Sequence, residues 1–571
     1  LSANLPKRLM LIIALFQGLF LLVLYRIEKA DLWLNTMPAI TFPLWSIALL
    51  LPLMLLLSLN KANVRATFVT CSGYVSVVAL LLIYVGSQAS PVDTFPIGSL
   101  IATTVMTLFI ASFKALMYCQ RFASGLPRQY STLFVLSWRN LLVPALAGAF
   151  TLLCAGILFL WAALFNTIGV DFFSYLFGRD WFLFPVLAAA FGVGVIVFRE
   201  LDHVLDVITR LVQESISLVL PLLVLISIGY VISLLVVGTD LLWKTGWGTA
   251  QMLWLTALTL FFVNAVYQDG RVPPKYTSPI HYIVAAGVCV LVVPAALSGY
   301  GLYLRLDQYG LTVDRAYAMI VWLLLSLFVL GYVVIIVRRR SEWIAELGKV
   351  NQAMSIVIIA VLLITLSPVL DLRKMSLSSQ LGRLEDGTTL PARFDVNYVR
   401  ENLASPGYEA LAQLKETATD RTLLANLELD HRYPDTPATA DARRAKIERL
   451  TDEQVPDALE EMLGSPNFVI GQRTILTSAD LDRNGSPEFV LLNFFGGHGI
   501  MARYFIERDG EWRSGSLNME YNPRIDPINN EQLIGDADTT VVAPELNDVI
   551  VGKLRFRPGP DQAISTSEIQ P

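Results

Sequence analysis

Residues 216–238 read ISLVLPLLVLISIGYVISLLVVG, and this stretch decides the class of the fold. It contains no charged residue, and a helix of about 20 apolar residues crosses the roughly 30 Å hydrocarbon core of a bilayer. Pro221 is tolerated in such a helix, because neighbouring helices or side chains can satisfy the carbonyl that the proline leaves without a partner. The sequence therefore predicts a transmembrane helix here, with a kink at the proline.

Ten further runs of similar length are largely uncharged, and all of them precede residue 372. The whole chain is 54% hydrophobic and only 16% charged, whereas soluble domains are about a quarter charged. We therefore predict an α-helical polytopic membrane bundle of eleven transmembrane helices, followed by a C-terminal soluble α+β domain. The predicted spans lie near residues 9–25, 42–58, 67–86, 98–118, 141–164, 182–198, 216–238, 250–267, 280–302, 316–337 and 352–370.

The composition changes near residue 371. Acidic residues crowd into the stretch after Asp371, and prolines become frequent. The runs RTILT, EFVLLNFF and IMARYFIE predict strands, and the RDGEW turn predicts a hairpin. We therefore predict a transmembrane domain over residues 1–371 and an extracytoplasmic α+β domain over residues 372–571. The acidic balance offers no basic patch, so no nucleic-acid partner is predicted.

Lys and Arg are unevenly distributed among the predicted loops. They concentrate at the N-terminus and in the even-numbered loops, for example at Lys7, Arg65, Arg128 and Arg339. Because basic residues of short loops stay on the cytoplasmic side, this bias predicts a cytoplasmic N-terminus. Eleven crossings then place the C-terminal domain outside the cytoplasm, on the extracytoplasmic side of the membrane. The prediction rests on parity, and one miscounted span would reverse it.

Between the sixth and seventh predicted spans, residues 198–217 read FRELDHVLDVITRLVQESIS. Apolar residues recur there at helical spacing, and charged residues occupy the opposite face. This pattern predicts an amphipathic helix that lies along the cytoplasmic membrane surface. Its role is either that of a lever or docking helix or that of a packed connector, and we favour the connector.

The predicted spans contain almost no ionisable side chain. Charged groups inside a bilayer mark proton and ion pathways, so this composition argues against a proton-coupled or cation-coupled transporter. Asn264 is the main strongly polar side chain at membrane depth, and it could equally form an interhelical hydrogen-bond clamp. The sequence has no GxxxxGK[ST], HExxH or GxSxG motif, so we predict no catalytic residues and no enzyme.

An acidic loop, SADLDRNGSPEF, occupies residues 478–489. Its alternating oxygen-bearing side chains can turn toward one point, and Gly485 permits the sharp bend that a Ca²⁺ site requires. The loop is not an EF-hand, because Leu491 stands where a bidentate Glu is needed. The alternative is an Asx-type turn between two strands. The candidate calcium ligands are Asp480, Asp482, Asn484, Ser486 and Glu488.

Three stretches carry a family resemblance. They are LFFVNAVYQDG (260–270), YGLYLRLDQYGLTVDRAYAMI (300–320) and MSLSSQLGRLEDGTTLPARFDVNYVRENLASPGYEALAQL (375–414). Together they resemble the bacterial inner-membrane family known as domain of unknown function 4153, over about residues 180–420. The QYGLTVDR run and the SQLGRLEDG to FDVNYVR run are the most specific parts. The resemblance implies a multi-pass bacterial inner-membrane protein with no established activity and no catalytic residues.

The hairpin YLRLDQYGLTVDR joins the ninth and tenth predicted spans on the outer face. Its tyrosines suit the headgroup region, and its charged residues can pair with one another. We predict a contact site for the outer domain or for a partner; the alternative is a tight helical hairpin with ordinary caps. The candidate contact residues are Tyr303, Arg305, Asp307, Tyr309, Asp314 and Arg315.

These patterns favour a non-enzymatic inner-membrane protein that serves in binding, sensing or assembly of the cell envelope. Membrane lipids and an envelope protein are its predicted partners, and no cofactor is predicted apart from Ca²⁺ at the acidic loop. The alternative is an uncoupled transporter, channel or lipid-handling protein. A third interpretation, an envelope-modifying enzyme, needs polar side chains that converge at the outer face near Arg305 and Arg315.

Overall fold

The computed structural model describes residues 4–563 apart from 31–32, 93, 240–241, 243–246, 269, 271–275, 429–443, 445–446, 452, 465–472, 482–486, 495–499, 509–510, 520–538, 543–547 and 552–553. Within these residues, eleven helices are long and apolar enough to cross a membrane, as the sequence predicts. The chain is a multi-pass membrane protein. Its first helices are α1 (Lys7–Lys29), α2 (Pro38–Ser58), α3 (Val64–Ser87), α4 (Gly98–Ala123), α5 (Tyr130–Asn166), α6 (Phe172–Phe177), α7 (Asp180–Glu200), α8 (Asp202–Val237), α9 (Gly248–Tyr267), α10 (Ser278–Val290), α11 (Val292–Tyr309), α12 (Val313–Arg339) and α13 (Trp343–Ile364).

The ninth span consists of two helices in succession. α10 ends at Val290 and α11 begins at Val292. Pro294 explains the interruption, because proline lacks the N–H that would bond to the carbonyl four residues earlier and its ring crowds that carbonyl. The two helices together run from Ser278 to Tyr309.

Ion pairs at both ends of α1 and α7 define the two ends of the bundle. At the first end, Lys7 Nζ lies 2.7 Å from Glu200 Oε1. At the second end, Lys29 Nζ lies 3.6 Å from Asp180 Oδ2. The first and sixth spans are therefore antiparallel, as an alternating path of spans requires. We call the end that holds Lys7 the basic end and the opposite end, which holds Tyr309, the hairpin end.

Two apolar clusters form the interior of the bundle. The first is built mainly from α1–α5 and α7 and contains Met10 and Leu56, both fully buried. The second is built mainly from α8–α10, α12 and α13 and contains Leu220, Val263 and Trp343, also fully buried. Because lipid tails are as apolar as these side chains, close packing rather than the hydrophobic effect stabilises such helix contacts in a membrane.

Small residues bring α1 and α7 into close contact. A Cβ atom added at Gly192 would lie 2.4 Å from Cβ of Ala14, and one added at Gly18 would lie 2.8 Å from Cβ of Ala188. Residues four positions apart share one face of a helix, so each helix presents a strip of small residues to the other. This arrangement lets two backbones approach closely in a lipid environment.

The stretch predicted as a separate surface helix is the first part of α8. That helix continues from Asp202 to Val237 without interruption. The sequence has no Gly or Pro between Asp202 and Leu220, so nothing ends the helix before the apolar part begins. The prediction of a separate helix is wrong, because the amphipathic turns extend the seventh span.

The chain divides into two units, Leu1–Glu416 and Thr417–Pro571. The predicted boundary after residue 371 therefore falls inside the first unit. The composition becomes polar at this point, but the segment still packs on the spans: Ala404 is buried in one apolar cluster with Val85 and Phe95. Its helices are α14 (Leu372–Glu385), α15 (Val396–Asn402) and α16 (Ala404–Thr417).

The second unit is α+β, as the sequence predicts. Its sheet has the strand order β1-β2-β3-β4-β5-β8-β7-β6, with β1 and β2 parallel and the other neighbours antiparallel. The predicted RDGEW hairpin is confirmed, since Arg508 pairs with Glu511. Phe489, Leu491 and Phe505 are buried in the apolar core of the second unit. The elements are α17 (Arg421–Glu428), α18 (Asp457–Gly464), β1 (Ile447–Arg449), β2 (Arg473–Ala479), β3 (Glu488–Phe494), β4 (Ile500–Arg508), β5 (Glu511–Met519), β6 (Thr539–Val542), β7 (Asp548–Val551) and β8 (Leu554–Ala563).

Candidate functional site

Residues 310–312 form the turn between α11 and α12 at the hairpin end. Gly310 has a φ of +71°, a left-handed conformation that favours glycine. A Cβ atom at this position would also lie 2.7 Å from Cδ of Arg383. Thr312 caps α12, since its side chain accepts a hydrogen bond from the backbone N–H of Arg315 at 3.3 Å. The turn therefore depends on a glycine for its shape and for its contact with α14.

Side chains of α14 cap the C-terminal end of α11. The last carbonyls of a helix have no partner within that helix. Arg383 donates from Nη1 to the Asp307 carbonyl at 2.8 Å and from Nη2 to the Gln308 carbonyl at 2.9 Å. Gln380 Nε2 donates to the Leu311 carbonyl at 3.0 Å. The guanidinium also faces the negative end of the helix dipole, which stabilises the contact further.

Three hydroxyl groups extend this contact along the turn. Ser376 Oγ donates to the Leu311 carbonyl at 3.0 Å, and Ser379 Oγ accepts from the Leu311 N–H at 3.0 Å. Tyr398 OH accepts from the Val313 N–H at 2.8 Å and lies 2.8 Å from Ser376 Oγ. Because the single proton of Ser376 goes to Leu311, Tyr398 is the donor to Ser376. Burial raises the pKa of Tyr398 above its ordinary value.

Asp371 fixes the start of α14. Its Oδ1 accepts from the backbone N–H groups of Arg373 at 3.0 Å and Lys374 at 3.1 Å, which makes it the N-cap. Its Oδ2 accepts from Tyr84 OH at 2.5 Å and from Gln88 Nε2 at 2.7 Å. The carboxylate is buried, and these four donors offset the cost of removing it from water. Asp371 thus ties α14 to α3.

Arg373 is a second buried charge at this end. Its Nη2 donates to Oγ1 of Thr103 in α4 at 2.8 Å. Burial lowers the pKa of its guanidinium, and the nearby Asp371 carboxylate opposes that effect. α14 is therefore attached to α3, α4 and the α11–α12 turn. We call this set of attaching residues the hairpin clamp: Asp371, Arg373, Ser376, Ser379, Gln380, Arg383 and Tyr398.

Only some of the predicted contact residues of the hairpin take part in the contacts between the turn and α14. Arg315 donates from Nη1 to the Gly310 carbonyl at 2.7 Å, and its guanidinium lies 5.3 Å from the centre of the Tyr309 ring. Asp307 takes part through its backbone carbonyl, which accepts from Arg383. The turn thus contacts α14 mainly through its backbone. The other three candidates, Tyr303, Arg305 and Asp314, are not members of the hairpin clamp.

The residues that hold the turn were not singled out in the sequence. Asp371, Gln380, Arg383 and Tyr398 carried no motif with a known chemistry. A signal was nevertheless present, because the SQLGR and NYVR runs lie in the stretches that carry the family resemblance. The structure brings these runs together with QYGLTVDR. The arrangement positions helices through hydrogen bonds and charges.

Asn264 belongs to a hydrogen-bonded network between helices. Its Oδ1 accepts from Tyr130 OH at 2.7 Å and from Asn351 Nδ2 at 2.9 Å. The Oδ1 of Asn351 in turn accepts from Tyr332 OH at 2.5 Å. Two cavities lined by described residues include none of these four side chains. The network links α5, α9, α12 and α13, and its geometry is that of an interhelical clamp.

The acidic loop is described only at its two sides. The Leu481 N–H donates to Oε2 of Glu488 at 2.5 Å, and Glu488 is buried. Asp480 directly follows β2. Asp482, Asn484 and Ser486 lie outside the described residues, so the calcium site stays a prediction. Within the part of the chain that the structure describes, no group of three or more His, Cys, Asp or Glu residues is placed to hold a metal ion.

Comparison with known proteins identifies a family whose model covers the hairpin clamp. Neither the curated proteins nor the solved structures contain a match to this chain. A family model matches residues 42–414, which begins well before the start near residue 180 that the resemblance indicated. The match covers α3–α15 and therefore the whole clamp. The chain belongs to the family described as Domain of unknown function (DUF4153).

Proposed function

We propose that this protein is a non-enzymatic binding, sensing or assembly component of the bacterial cell envelope. The observation that carries the proposal is the hairpin clamp. The clamp attaches residues 371–398 to α3, α4 and the α11–α12 turn, and the chain continues from there into the second unit. A partner that binds the second unit therefore acts on a segment that is fixed to the bundle.

In this proposal the basic end faces the cytoplasm and the hairpin end faces the periplasm. Support comes from the Lys and Arg residues concentrated in the loops of the basic end. The second unit then lies in the periplasm, outside the cytoplasm, where calcium loops with a Kd of about 0.1–1 mM are used. Membrane lipids surround the bundle, and an envelope protein is the partner of the second unit.

The alternative, an uncoupled transporter, channel or lipid-handling protein, has less support. A pathway through the bundle needs polar groups that can contact a solute. The carbonyl oxygen of Asn264 already accepts hydrogen bonds from Tyr130 and Asn351. A group in this situation stabilises helix packing, and its removal from the network would break two hydrogen bonds.

Site-specific photo-crosslinking in native membranes tests the proposal. A photoreactive amino acid replaces Glu461, which is exposed on α18 of the second unit, in the full-length protein. We expect one discrete crosslinked species after irradiation. The matched control carries the same group at Val69, which is 66% exposed on the apolar surface of α3, and should capture lipid only.

Two outcomes would contradict the proposal. The first is solute or lipid flux in proteoliposomes that is lost in the Asn264→Leu variant, because it would support the transport alternative. The second is labelling that places the second unit in the cytoplasm. A single cysteine at Glu453, which is exposed in the second unit, should react with a membrane-impermeant maleimide in intact cells once the outer membrane is permeabilised.

A further inference from the structure

A polar cavity of about 50 Å³ lies at the basic end of the bundle. It is enclosed by the ends of α2, α4, α5, α7 and α8. A single buried water needs roughly 10–15 Å³ on this measure, so the cavity can hold a group of several atoms. Polar side chains among membrane helices are costly unless they serve a purpose, which makes a polar cavity at this place informative.

Two arginines stand in the walls of the cavity, whose lining also includes apolar side chains such as Leu57 and Leu136. Arg139 from α5 and Arg199 from α7 both line it. Arg199 donates from Nη1 to the Leu56 carbonyl at 2.6 Å, a neutral partner. Gln120 and Asn140 donate to each other, both at 2.9 Å, and both are buried. Each of these two amides therefore has its oxygen and one of its N–H groups occupied by the other.

The charges around the cavity are unevenly placed. Asp202 is the only carboxylate among the described residues that line it, and its Oδ1 lies 3.2 Å from Nη1 of Arg139. Asp206 also faces Arg139, at 3.9 Å, but it is 64% exposed and lies outside the cavity lining. Within the cavity lining, two guanidinium groups therefore share one carboxylate, and the second carboxylate, that of Asp206, contacts Arg139 from outside the lining.

Two donors at the cavity have no conventional acceptor among the described residues. Arg139 Nε is buried without a hydrogen-bond partner. Ser58 lines the cavity, is 5% exposed, and its hydroxyl has no nitrogen or oxygen partner; the Cys71 thiol is the polar group beside it. Buried donors of this kind are stabilised when an acceptor occupies the adjacent space.

We propose that this cavity binds a phosphate-type oxyanion, which is either inorganic phosphate or the phosphate of an anionic lipid headgroup. The oxygens of the anion accept hydrogen bonds from Arg199, from Nε of Arg139 and from the Ser58 hydroxyl, and its negative charge lies next to the two guanidinium groups. Arginine suits this role, because its planar donors match the geometry of phosphate oxygens. A headgroup can supply the anion, since the cavity lies at the ends of the spans.

Phosphate titration of the purified full-length protein tests the site. Inorganic phosphate is added at constant ionic strength, with chloride as the balancing anion, and the unfolding midpoint and the heat of binding are measured. We expect a saturable rise of the midpoint. Arg199→Gln should weaken phosphate binding at least about tenfold, the usual effect of losing a charged hydrogen-bond donor. Ser58→Ala should weaken phosphate binding by a smaller factor, and it is the alternative test of the site if Arg199→Gln does not fold.

The control is Arg65→Gln, which removes an exposed cation at the same end but outside the cavity. It should bind phosphate like the unmodified protein. Native mass spectrometry separates the two sources of the anion: a phosphatidylglycerol molecule retained by the unmodified protein and lost in Arg199→Gln identifies the headgroup. Two results would show that the cavity holds only water. The first is the absence of both saturable phosphate binding and a retained lipid, and the second is an equal effect of Arg199→Gln and Arg65→Gln on phosphate binding.

Discussion

Tyr84 and Asp371 stand 287 residues apart in the chain, and the phenol of the first donates to the carboxylate of the second at 2.5 Å. Tyr84 lies near the end of the third span, and Asp371 follows the last one. This contact holds the polar segment against a helix that was formed much earlier in the sequence. Loss of the buried carboxylate should therefore destabilise both the polar segment and its contact with α3.

Replacement of Asp371 by Ala removes the acceptor of four hydrogen bonds and the N-cap of α14. We expect destabilisation of about 3 kcal/mol, since one buried charged hydrogen bond contributes about 1.5–3 kcal/mol and a cap about 1 kcal/mol. The measurements are the unfolding midpoint and protease sensitivity of residues 372–416. Asp386→Ala, at an exposed carboxylate, is the control and should cost under about 1 kcal/mol; equal effects of the two changes would contradict the role of Asp371.

Alanine substitutions at two glycines test whether the α11–α12 turn requires a glycine. Gly310→Ala forces a side chain into a left-handed conformation and against Arg383, so we expect a loss of about 2 kcal/mol or more. Gly382→Ala lies inside α14, where an added Cβ has open space, and it should be neutral or stabilise by about 0.5–1 kcal/mol. Opposite signs of the two midpoint shifts are the expected result. A harmless Gly310→Ala would show that the turn is not constrained.

Tyr398 gives the hairpin clamp a dependence on alkaline pH. Burial raises the pKa of its phenol, so the folded state favours the neutral form. The stability that this provides is fully present below the ordinary tyrosine pKa of about 10 and is lost as the pH rises through the raised value. We expect protease sensitivity of residues 372–416 to increase above about pH 10, with a weaker increase in Tyr398→Phe. Identical pH profiles of the two proteins would rule out this contribution.

The Asn264 network is open to a double-mutant cycle. Asn264→Leu leaves Tyr130 and Asn351 without their acceptor, and Tyr130→Phe removes one of those donors. We expect each single change to destabilise the protein by about 1 kcal/mol and the pair to be coupled by about 0.6 kcal/mol, which is typical of hydrogen bonds between membrane helices. Strictly additive effects would mean that this hydrogen bond contributes nothing.

The acidic loop is tested by calorimetry with millimolar calcium on the full-length protein. If the ligand set at residues 480–488 is correct, binding heat should appear and Asp482→Asn should abolish it. Asp457→Asn, at the exposed start of α18, should leave the heat unchanged. No heat in the unmodified protein would identify the loop as a simple turn between β2 and β3.

The membrane bundle was predictable because its signal is local. A span is an uninterrupted apolar run, and each run stands alone in the sequence. The predicted boundary at residue 371 differs from the division of the structure at Glu416, because composition reports polarity and not packing. The segment after Asp371 is polar, yet its polar groups bond to the ends of spans. The continuity of α8 was missed for a related reason, since a change of amphipathicity does not end a helix that lacks Gly and Pro.

The hairpin clamp was only half predictable. Tyr309, Asp307 and Arg315 were expected to make contacts, but the contacts use the carbonyls of the first two. Every residue type has a backbone carbonyl, so the sequence does not show which carbonyls accept hydrogen bonds. Gln380 and Arg383 could therefore not be predicted as the donors to the turn. The Asn264 clamp needed Tyr130 and Asn351, which lie in other helices and became partners only through the packing of the bundle.

The cap on α11 has a consequence for biosynthesis. Asp307 and Arg383 are separated by 76 residues, and two complete spans, α12 and α13, lie between them. During translation α11 is inserted long before Arg383 leaves the ribosome, so its last carbonyls must first find water or lipid headgroups. The bundle reaches its final form only when α14 arrives. A chain truncated before residue 372 should therefore keep these carbonyls uncapped and be removed by membrane quality control.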